Sequence, residues 1–303
     1  MAEKKRYKKT RDNLFYLLVV GFIKLLRLLP RRVALFLMRL LGRLSFILAS
    51  APRRRAIKHL TMVYGQEKNS AEIRNLARRV FIHFAMVAGD FVRMPIIIKK
   101  DLSSLITTSG LEHLDQAFAT GRGLLMITCH FGNWELMGGW LAKNGYRMSV
   151  VGTTLFDPRL DQILVEARTN AGYTNIARGK GTRDIIRTLK KGEAVGMLID
   201  QDTKADGVFV NFFGRSAHTP SGPAVLARRL DLPIIPIFMY LKDDLTYHIE
   251  CLPPLQLVKT DNEAYDIQVN TQKCSDTYEA MIRRFPEQWV WMHKRWKTQP
   301  GQE

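Results

Sequence analysis

Strand-like and helix-like segments alternate along the chain from about residue 107, and this alternation constrains the fold more than any other feature. Short apolar runs that are typical of buried strands are separated by segments in which apolar residues recur at helical spacing. The strand-like runs are 123–129, 147–152, 194–199, 234–240 and 246–251, and the helix-like runs are 134–143, 159–171, 182–191 and 221–230. Strands that alternate with helices predict an α/β body with a largely parallel sheet flanked by helices.

The last two strand-like runs have no helix between them. They are joined by the polar segment Lys242-Asp243-Asp244, which predicts an antiparallel hairpin. The sheet is therefore expected to be mixed. We expect residues 53–303 to form one domain, in which 53–106 are a helical lead-in and 107–303 are the α/β body.

The first 60 residues are strongly basic and strongly apolar at the same time. They hold 16 Lys and Arg against 2 Asp and Glu, whereas the other 243 residues hold 30 against 26. A nucleic-acid-binding arm has a similar charge, but basic and apolar residues together are typical of a segment on an anionic membrane surface. We therefore expect a membrane-anchoring segment over residues 1–52 and no nucleic-acid partner.

Two apolar runs, 14–23 and 33–49, make up this N-terminal helical membrane-anchoring segment. Neither reaches the roughly 20 apolar residues that a transmembrane helix needs, so the sequence favours helices that lie in the membrane interface. A short single span, in which Lys24 and Arg27 snorkel to the surface, stays open, and so do two buried core helices. Lys24, Arg27 and Arg31 recur at helical spacing and predict a basic stripe on an apolar helix.

The three cysteines, Cys129, Cys251 and Cys274, are far apart in the sequence. They show neither a metal-ligand spacing nor a plausible disulfide framework, which favours a reducing, cytosol-facing compartment. Cys129 directly precedes His130 in a strand-like run, so the two side chains are expected on opposite faces of the strand. Cys129 is therefore predicted to belong to the core and not to act as a nucleophile.

The segment Thr128-Cys-His-Phe-Gly-Asn-Trp-Glu135 carries the clearest chemical signal. It places His130 at a strand end and Glu135 at a helix start, and a base beside a helix N-terminus is what acyl transfer to a hydroxyl requires. The spacing alone is weak, because a half-buried structural histidine would look the same. Gly132 allows close backbone approach, and Asn133 is a good N-cap that puts Glu135 in the first helical turn.

Two further clusters are candidates for binding. Arg178 and Lys180 are interleaved with glycines before the helix-like run 182–191, which is typical of an anion site. On that helix Arg183, Arg187 and Lys190 share one face, either as a docking surface or as a solvated basic face.

The strand-like run 194–199 is followed by Asp200-Gln201-Asp202, a pair that could bind a hard metal ion. No nucleotide motif accompanies the pair, so we predict no metal. Further on, Phe213, Gly214 and Thr219 combine aromatic side chains with hydroxyls before a helix. This combination suits an acyl chain and its carbonyl, although an ordinary loop followed by an N-cap would look the same.

Taken together, these segments resemble the lysophospholipid acyltransferase superfamily and, within it, the late acyltransferases of lipid A biosynthesis, the lauroyl and myristoyl transferases. Four pieces carry the resemblance: HFGNWE at 130–135, 189–193 with 200–202, 212–214 with Thr219, and PEQWVWMHKRW at 286–296. Their order and spacing agree with the family pattern, so the resemblance covers nearly the whole chain.

The resemblance implies transfer of a fatty acyl chain from acyl-acyl-carrier protein to a hydroxyl of a lipid A precursor, at the cytoplasmic face of the inner membrane. It implies that His130 is the general base, that Glu135 orients it, and that no covalent acyl-enzyme or cofactor takes part. Backbone amides at the Asn133 helix start or the side chain of Arg178 would meet the oxyanion. The remaining substrate-binding candidates are Asp200, Phe213, Gly214 and Thr219.

Acyl-carrier protein is acidic, so the basic face of Arg183, Arg187 and Lys190 is its expected docking surface. Two alternatives stay open at this point. One is an acyltransferase that acts on a lysophospholipid or another glycolipid. The other is a non-catalytic basic protein that binds membranes or nucleic acid, which the nearly neutral body of the chain disfavours.

Overall fold

The computed structural model describes residues 2–155, 157–179 and 181–301, with side chains from residue 12 onward. Four helices come first, and they are α1 (Ala2–Leu28), α2 (Arg31–Leu48), α3 (Ser50–Tyr64) and α4 (Ser70–Ile97). The later helices are α5 (Leu111–Ala119), α6 (Trp134–Lys143), α7 (Pro158–Asn170), α8 (Thr182–Lys190), α9 (Gly222–Leu230) and α10 (Glu263–Arg284). The strands are β1 (Ile106–Ser109), β2 (Leu124–Thr128), β3 (Met148–Gly152), β4 (Thr174–Ala177), β5 (Ala194–Leu198), β6 (Gly207–Phe212), β7 (Arg215–Pro220), β8 (Ile234–Leu241) and β9 (Tyr247–Cys251).

Seven of these strands form one sheet in the order β1-β9-β8-β2-β5-β3-β4. Each neighbouring pair is parallel except β8 and β9, which are antiparallel. This confirms the predicted mixed, largely parallel sheet and the predicted hairpin. The helices α6 and α8 begin within a residue or two of their predicted starts, because a capping residue or a glycine precedes each apolar pattern.

No sequence pattern predicted β1, β4, α5, α10 or the two-stranded sheet of β6 and β7. The last of these lies where a loop was expected. In β7 only half of the residues are fully buried, and polar side chains occupy its exposed positions. A short strand of this kind lacks the apolar run or the strict alternation that a sequence pattern needs. Its pairing with β6 is therefore visible only in three dimensions.

The strand β2 lies between β8 and β5 and is buried along its whole length. Its side chains alternate between two apolar clusters. Leu125, Ile127 and Cys129 pack on one side of the sheet with the C-terminal tryptophans and α10, whereas Leu124 and Met126 pack on the other with α6. The prediction that Cys129 is a core residue is thereby confirmed.

The N-terminal helices pack on α4, which supports the rest of the domain. The contact between α2 and α4 is closest at Gly42, where a Cβ atom would lie 2.7 Å from the Cα atom of Ile82. The outer faces of α1 and α2 expose large apolar side chains: Leu14, Phe15, Leu17, Leu18, Phe22, Leu25, Leu28, Val33, Phe36, Leu40, Leu41, Leu44, Ile47 and Leu48. A concentrated apolar surface of this kind is typical of a membrane or protein contact.

The helix with the length and composition of a membrane span is α4, and it does not lie in residues 1–52, where we expected the anchor. Over its most apolar 18-residue window, 56% of α4 is buried inside the protein, so the same composition also fits a core helix. The helices α2 and α3 are long and apolar enough for a membrane span only when they are taken together, and they are bent by 89° where they meet. Charged side chains interrupt the apolar runs of α1 and α2, so neither helix alone has the composition of a membrane span.

The predicted basic stripe of Lys24, Arg27 and Arg31 is wrong for two of its three residues, and Arg31 is the first residue of α2. Arg27 Nε donates to the Val92 carbonyl at 2.7 Å. Arg31 donates from Nε and Nη2 to the carboxylate of Asp90, at 2.9 and 2.6 Å. The helix breaks between Leu28 and Arg31, so the three residues do not share one continuous helix face. Arg27 and Arg31 are turned toward α4, and only Lys24 of the three is exposed.

The Asp90 carboxylate is fully buried and also accepts a hydrogen bond from the Tyr247 hydroxyl, at 2.8 Å. Replacing Asp90 with Ala would leave Arg31 and Tyr247 without this partner, so we expect the free energy of unfolding to fall by about 3–5 kcal/mol. The measurement is denaturant unfolding of the full chain in detergent. The control is Glu263→Ala, which removes an exposed acidic partner of Arg229 and should cost less than about 1 kcal/mol. Equal losses in the two variants would contradict this account.

Candidate active site

His130 lies at the carboxyl end of β2, where the chain turns sharply into α6. Gly132 adopts φ +57°, and a Cβ atom there would fall 1.6 Å from the Met239 carbonyl oxygen. Asn133 caps α6, since its side-chain oxygen accepts from the Leu136 amide at 3.1 Å. Both local predictions, close backbone approach at Gly132 and an N-cap at Asn133, are confirmed.

The acidic partner of His130 is Asp200. Its carboxylate accepts from the His130 backbone amide at 3.0 Å and contacts the ring Nδ1 at 2.8 Å. The indole of Trp289 donates to the same carboxylate at 2.8 Å. Burial alone would raise the pKa of Asp200, but the charge of His130 and these hydrogen bonds outweigh burial and hold the pKa below its usual value. An ionised carboxylate at Nδ1 favours a proton on that nitrogen, which leaves Nε2 as the ring nitrogen that can accept a proton.

Among the described residues, Glu135 forms no hydrogen bond or ion pair with His130, which corrects the expected pairing. Its carboxylate accepts two hydrogen bonds from the guanidinium of Arg168, at 2.9 and 2.5 Å, and one from the Tyr173 hydroxyl at 2.9 Å. The first turn of α6 directs Glu135 toward α7 and β4, away from Asp200. Although His130 and Glu135 are only five positions apart in the sequence, the turn between the strand and the helix keeps their side chains from pairing.

A cavity of about 260 Å³, here called cavity 1, opens beside His130 between the sheet and α6. Its polar wall includes Glu135, Arg168 and Arg178. Its apolar wall is formed by Met126, Met137, Leu141, Met148, Leu198 and Ile237. A pocket that is apolar inside and polar near a histidine can hold a hydrocarbon chain with its reactive end at that histidine.

A second cavity, here called cavity 2, has a volume of about 410 Å³ and lies between α8 and α9. It shares Val151, Arg178 and Leu198 with cavity 1. Arg178 is exposed and stands where the two cavities meet, so this predicted residue does reach the site. Lys180, the other cation of that cluster, lies outside the described residues.

The predicted docking residues Arg183, Arg187 and Lys190 are all exposed on α8. Arg187 forms an ion pair with Asp184 at 2.6 Å, with both side chains largely in solvent. The geometry agrees with either a docking surface or a solvated face, so the docking role stays a prediction.

Phe213, Gly214 and Thr219 are not brought to either cavity. The first two form the turn between β6 and β7, and the ring of Phe213 packs on Trp291 with 5.6 Å between centroids. Thr219 is fully buried and accepts a hydrogen bond from Arg295 at 2.5 Å. Pairing of β6 with β7 turns these residues toward the C-terminal segment, which corrects their assignment to the substrate site.

The expected roles of Asn133 and Asp200 in contacting substrate are also corrected, because both side chains are fully buried and engaged in the protein. The amides of residues 130–133 all have internal acceptors. Within the described part of the chain, the amides of Trp134 and Glu135 have no hydrogen-bond partner. Any oxyanion contact from this helix start must come from those two. Asp202, the other candidate metal ligand, accepts from the amide and hydroxyl of Thr298 at 2.7 and 3.0 Å.

Sequence reasoning missed Asp200 as the partner of His130, although a usable signal was present. In the parallel pair of β2 and β5, Thr128 is in register with Leu198. Counting two residues onward from each brings His130 opposite Asp200. Both strands were predicted, but their adjacency in the sheet was not. No comparable sequence signal indicated that Arg168, Tyr173 and Trp289 belong to the site.

The chain is similar to one protein family and to three relatives of known name. A family model described as bacterial lipid A biosynthesis acyltransferase matches residues 1–298. A phosphatidylinositol mannoside acyltransferase from Mycolicibacterium smegmatis is 25% identical over 226 residues, which cover 73% of this chain and 72% of the relative. A lipid A biosynthesis palmitoleoyltransferase from Escherichia coli is 30% identical over 197 residues, which cover 63% of this chain and 61% of the relative. A lipid A biosynthesis lauroyltransferase from the same organism is 28% identical over 203 residues, with the same coverage.

Gly132→Ala should be far more damaging than alanine at a comparable glycine. Gly121 has a similar φ of +67° but open space around it, so Gly121→Ala reports only the left-handed backbone and should cost about 1–2 kcal/mol. Gly132→Ala adds the clash with Met239 and should cost at least twice as much. Denaturant unfolding of both variants measures the difference. Similar costs would show that the turn can relax and that Gly132 is not sterically required.

Proposed function

Because the chain belongs to the bacterial lipid A biosynthesis acyltransferase family, we propose that it transfers a fatty acyl chain from acyl-acyl-carrier protein to a hydroxyl of a lipid A precursor. His130 is the general base in this proposal. The observation that supports it best is the buried Asp200 at Nδ1 of His130, beside a cavity with an apolar interior.

The reaction follows from this geometry. Nε2 of His130 takes the proton of the acceptor hydroxyl while its oxygen attacks the thioester carbonyl carbon. The new carbon–oxygen bond forms, and the carbonyl electron pair moves onto oxygen. When the oxyanion collapses, the carbon–sulfur bond breaks and the thiol leaves with the proton from His130. No covalent acyl-enzyme is formed, and Asp200 stabilises the transient imidazolium.

The other predicted residues take roles that their positions allow. Arg178, or the amides of Trp134 and Glu135, would meet the oxyanion at the mouth of cavity 1. Glu135 would act as a positioning residue, since it fixes Arg168 and Tyr173 in the wall of that cavity. The apolar interior of cavity 1 would hold the acyl chain.

The protein would work at the cytoplasmic face of the inner membrane. The exposed apolar faces of α1 and α2 would lie in the interface of an anionic membrane, and cavity 1 would receive an acceptor that is itself anchored in that membrane. No cofactor is needed for the proposed chemistry.

A second acceptor class is favoured by one observation. Relatives at 25–26% identity act, by name, on phosphatidylinositol mannoside, which is a glycolipid and not a lipid A precursor. Acylation of another glycolipid by the same His130 chemistry is therefore the second candidate.

The test is purified protein in detergent with acyl-acyl-carrier protein and a lipid A precursor, followed by mass spectrometry of the lipid. We expect the mass gain of one acyl chain. His130→Ala and Asp200→Asn should each lower the rate by about 10²–10⁴-fold, whereas the surface variant Asp231→Asn should not change it. Wild-type rates in His130→Ala would contradict the mechanism. Acylation of a mannolipid but not of the lipid A precursor would favour the second acceptor class.

The docking surface has its own test. Arg183→Glu combined with Arg187→Glu should raise KM for acyl-acyl-carrier protein by about 10-fold, with kcat nearly unchanged and a weaker salt dependence, because rim charges steer association. A matched double variant, Lys99→Glu with Lys100→Glu, reverses two exposed charges elsewhere. If both double variants raise KM equally, net charge matters and α8 is not the docking surface.

A further inference from the structure

Thr128 has a buried hydroxyl that the protein leaves unsatisfied. Only 6% of the residue is exposed, and its Oγ1 has no hydrogen-bond partner among the residues that the structure describes. Thr128 lines cavity 1 together with Met126 and His130. These three alternate along β2 and its end with Ile127 and Cys129, which face the opposite core cluster. The side chains of Thr128 and His130 therefore emerge on the same side of the sheet.

An unpaired hydroxyl of this kind is unusual, since buried polar side chains are normally hydrogen-bonded. Three other buried threonine and serine hydroxyls in this chain follow the rule. Thr219, Thr271 and Ser275 each donate to a backbone carbonyl, at 3.0, 2.7 and 3.2 Å. The hydroxyls of Tyr64 and Tyr278 are also buried without a partner among the described residues, but neither residue lines cavity 1 or cavity 2. Thr128 differs from them because it lies in a cavity wall, where a bound molecule can supply the missing partner.

The partner must be a polar atom of the molecule that occupies cavity 1. Along a saturated hydrocarbon chain there is none, so a chain lying past Thr128 would leave its hydroxyl desolvated and unpaired, at a cost in binding. The polar atom nearest the chain is the carbonyl oxygen of the thioester. Thr128 and His130 are two positions apart, and in extended chain this step spans about 6.6 Å between Cα atoms. An acceptor hydroxyl and a carbonyl group can therefore lie side by side between the two side chains.

We propose that Thr128 is a catalytic residue whose hydroxyl donates a hydrogen bond to the carbonyl oxygen of the acyl donor. This inference rests on the proposed function and deepens it. As the acceptor oxygen bonds to the carbonyl carbon, the electron pair of the carbon–oxygen double bond moves onto the oxygen that Thr128 contacts. Thr128 keeps its proton throughout, and the hydrogen bond strengthens as negative charge develops.

Burial makes this contact effective. A hydrogen bond to a developing charge is stronger in a low-dielectric, water-poor site than at the surface. Arg178 stands exposed at the mouth of cavity 1, where solvent screens its charge, whereas Thr128 acts from inside. The two groups would therefore approach the oxyanion from different sides.

The decisive variant is Thr128→Val, which keeps the side-chain shape and removes only the hydroxyl. We expect kcat to fall by about 100-fold, the scale for loss of one oxyanion-hole donor, while KM for the acyl donor changes by less than about threefold. Thr128→Ser restores the donor and should recover kcat to within about fivefold of the wild-type value. The assay uses the full chain with acyl-acyl-carrier protein and lipid A precursor.

A stability measurement separates this role from a structural one. Since the Thr128 hydroxyl has no partner in the protein, Thr128→Val should leave Tm unchanged or raise it. Thr219→Val, at a threonine that is equally enclosed but hydrogen-bonded to Ala217 and Arg295, should lower Tm by a few degrees. A Tm loss in Thr128→Val as large as that in Thr219→Val would overturn the inference.

His130→Ala is assayed in parallel, so that failure of the Thr128 inference can be distinguished from failure of the proposed function. A wild-type rate in Thr128→Val beside an inactive His130→Ala overturns the Thr128 inference alone. Wild-type rates in both variants overturn the proposed function as well. A loss in Thr128→Val confined to donors whose chain carries its own hydroxyl group also overturns the inference, because Thr128 would then bind the chain and not the reacting carbonyl.

Discussion

The parallel pairing of β2 with β5 is the constraint on which the candidate site depends. Parallel strands in register bring their carboxyl ends to the same edge of the sheet, so the residues that follow them become neighbours. Here those residues are His130 and Asp200. Gly132 then lets the chain pass within contact of the Met239 carbonyl, and Asn133 starts α6 at once. His130, its buried carboxylate partner and a helix N-terminus are thus fixed by backbone geometry.

The C-terminal segment completes this arrangement from the other side of the sheet. Trp289 and Trp291 are fully buried, and the indole of Trp289 donates directly to Asp200. A carboxylate taken out of water is stable as an anion only when hydrogen bonds and a positive partner offset its desolvation. Trp289 and the His130 amide supply those hydrogen bonds. The burial of Trp289 is therefore explained by the electrostatics of Asp200 as much as by packing, whereas the Trp291 indole donates to the Pro286 carbonyl.

Local structure could be predicted from the sequence, whereas contacts between distant residues could not. The apolar run of β2, the N-cap at Asn133 and the core position of Cys129 each depend on a few neighbouring residues, and all three were predicted correctly. The pairing of His130 with Glu135 was wrong because spacing along the chain does not measure distance across a turn. Phe213 and Thr219 were misplaced because the pairing of β6 and β7 depends on residues that lie opposite each other in space. The inward direction of Arg31 could not be predicted, since periodicity shows which residues share a face but not what that face contacts.

A buried hydrogen-bond chain ties the N-terminal helices to the start of α6. Arg31 donates to Asp90, which also accepts from the Tyr247 hydroxyl, and that hydroxyl in turn accepts from the Asn133 side chain at 3.1 Å. Every link except part of Arg31 is buried, so solvent cannot replace a broken contact without a loss of free energy. The exposed apolar faces of α1 and α2 are therefore held at a fixed position relative to the helix that follows His130. In the proposed function, where α1 and α2 lie in a membrane interface, this rigid connection would keep His130 at a constant height above the bilayer.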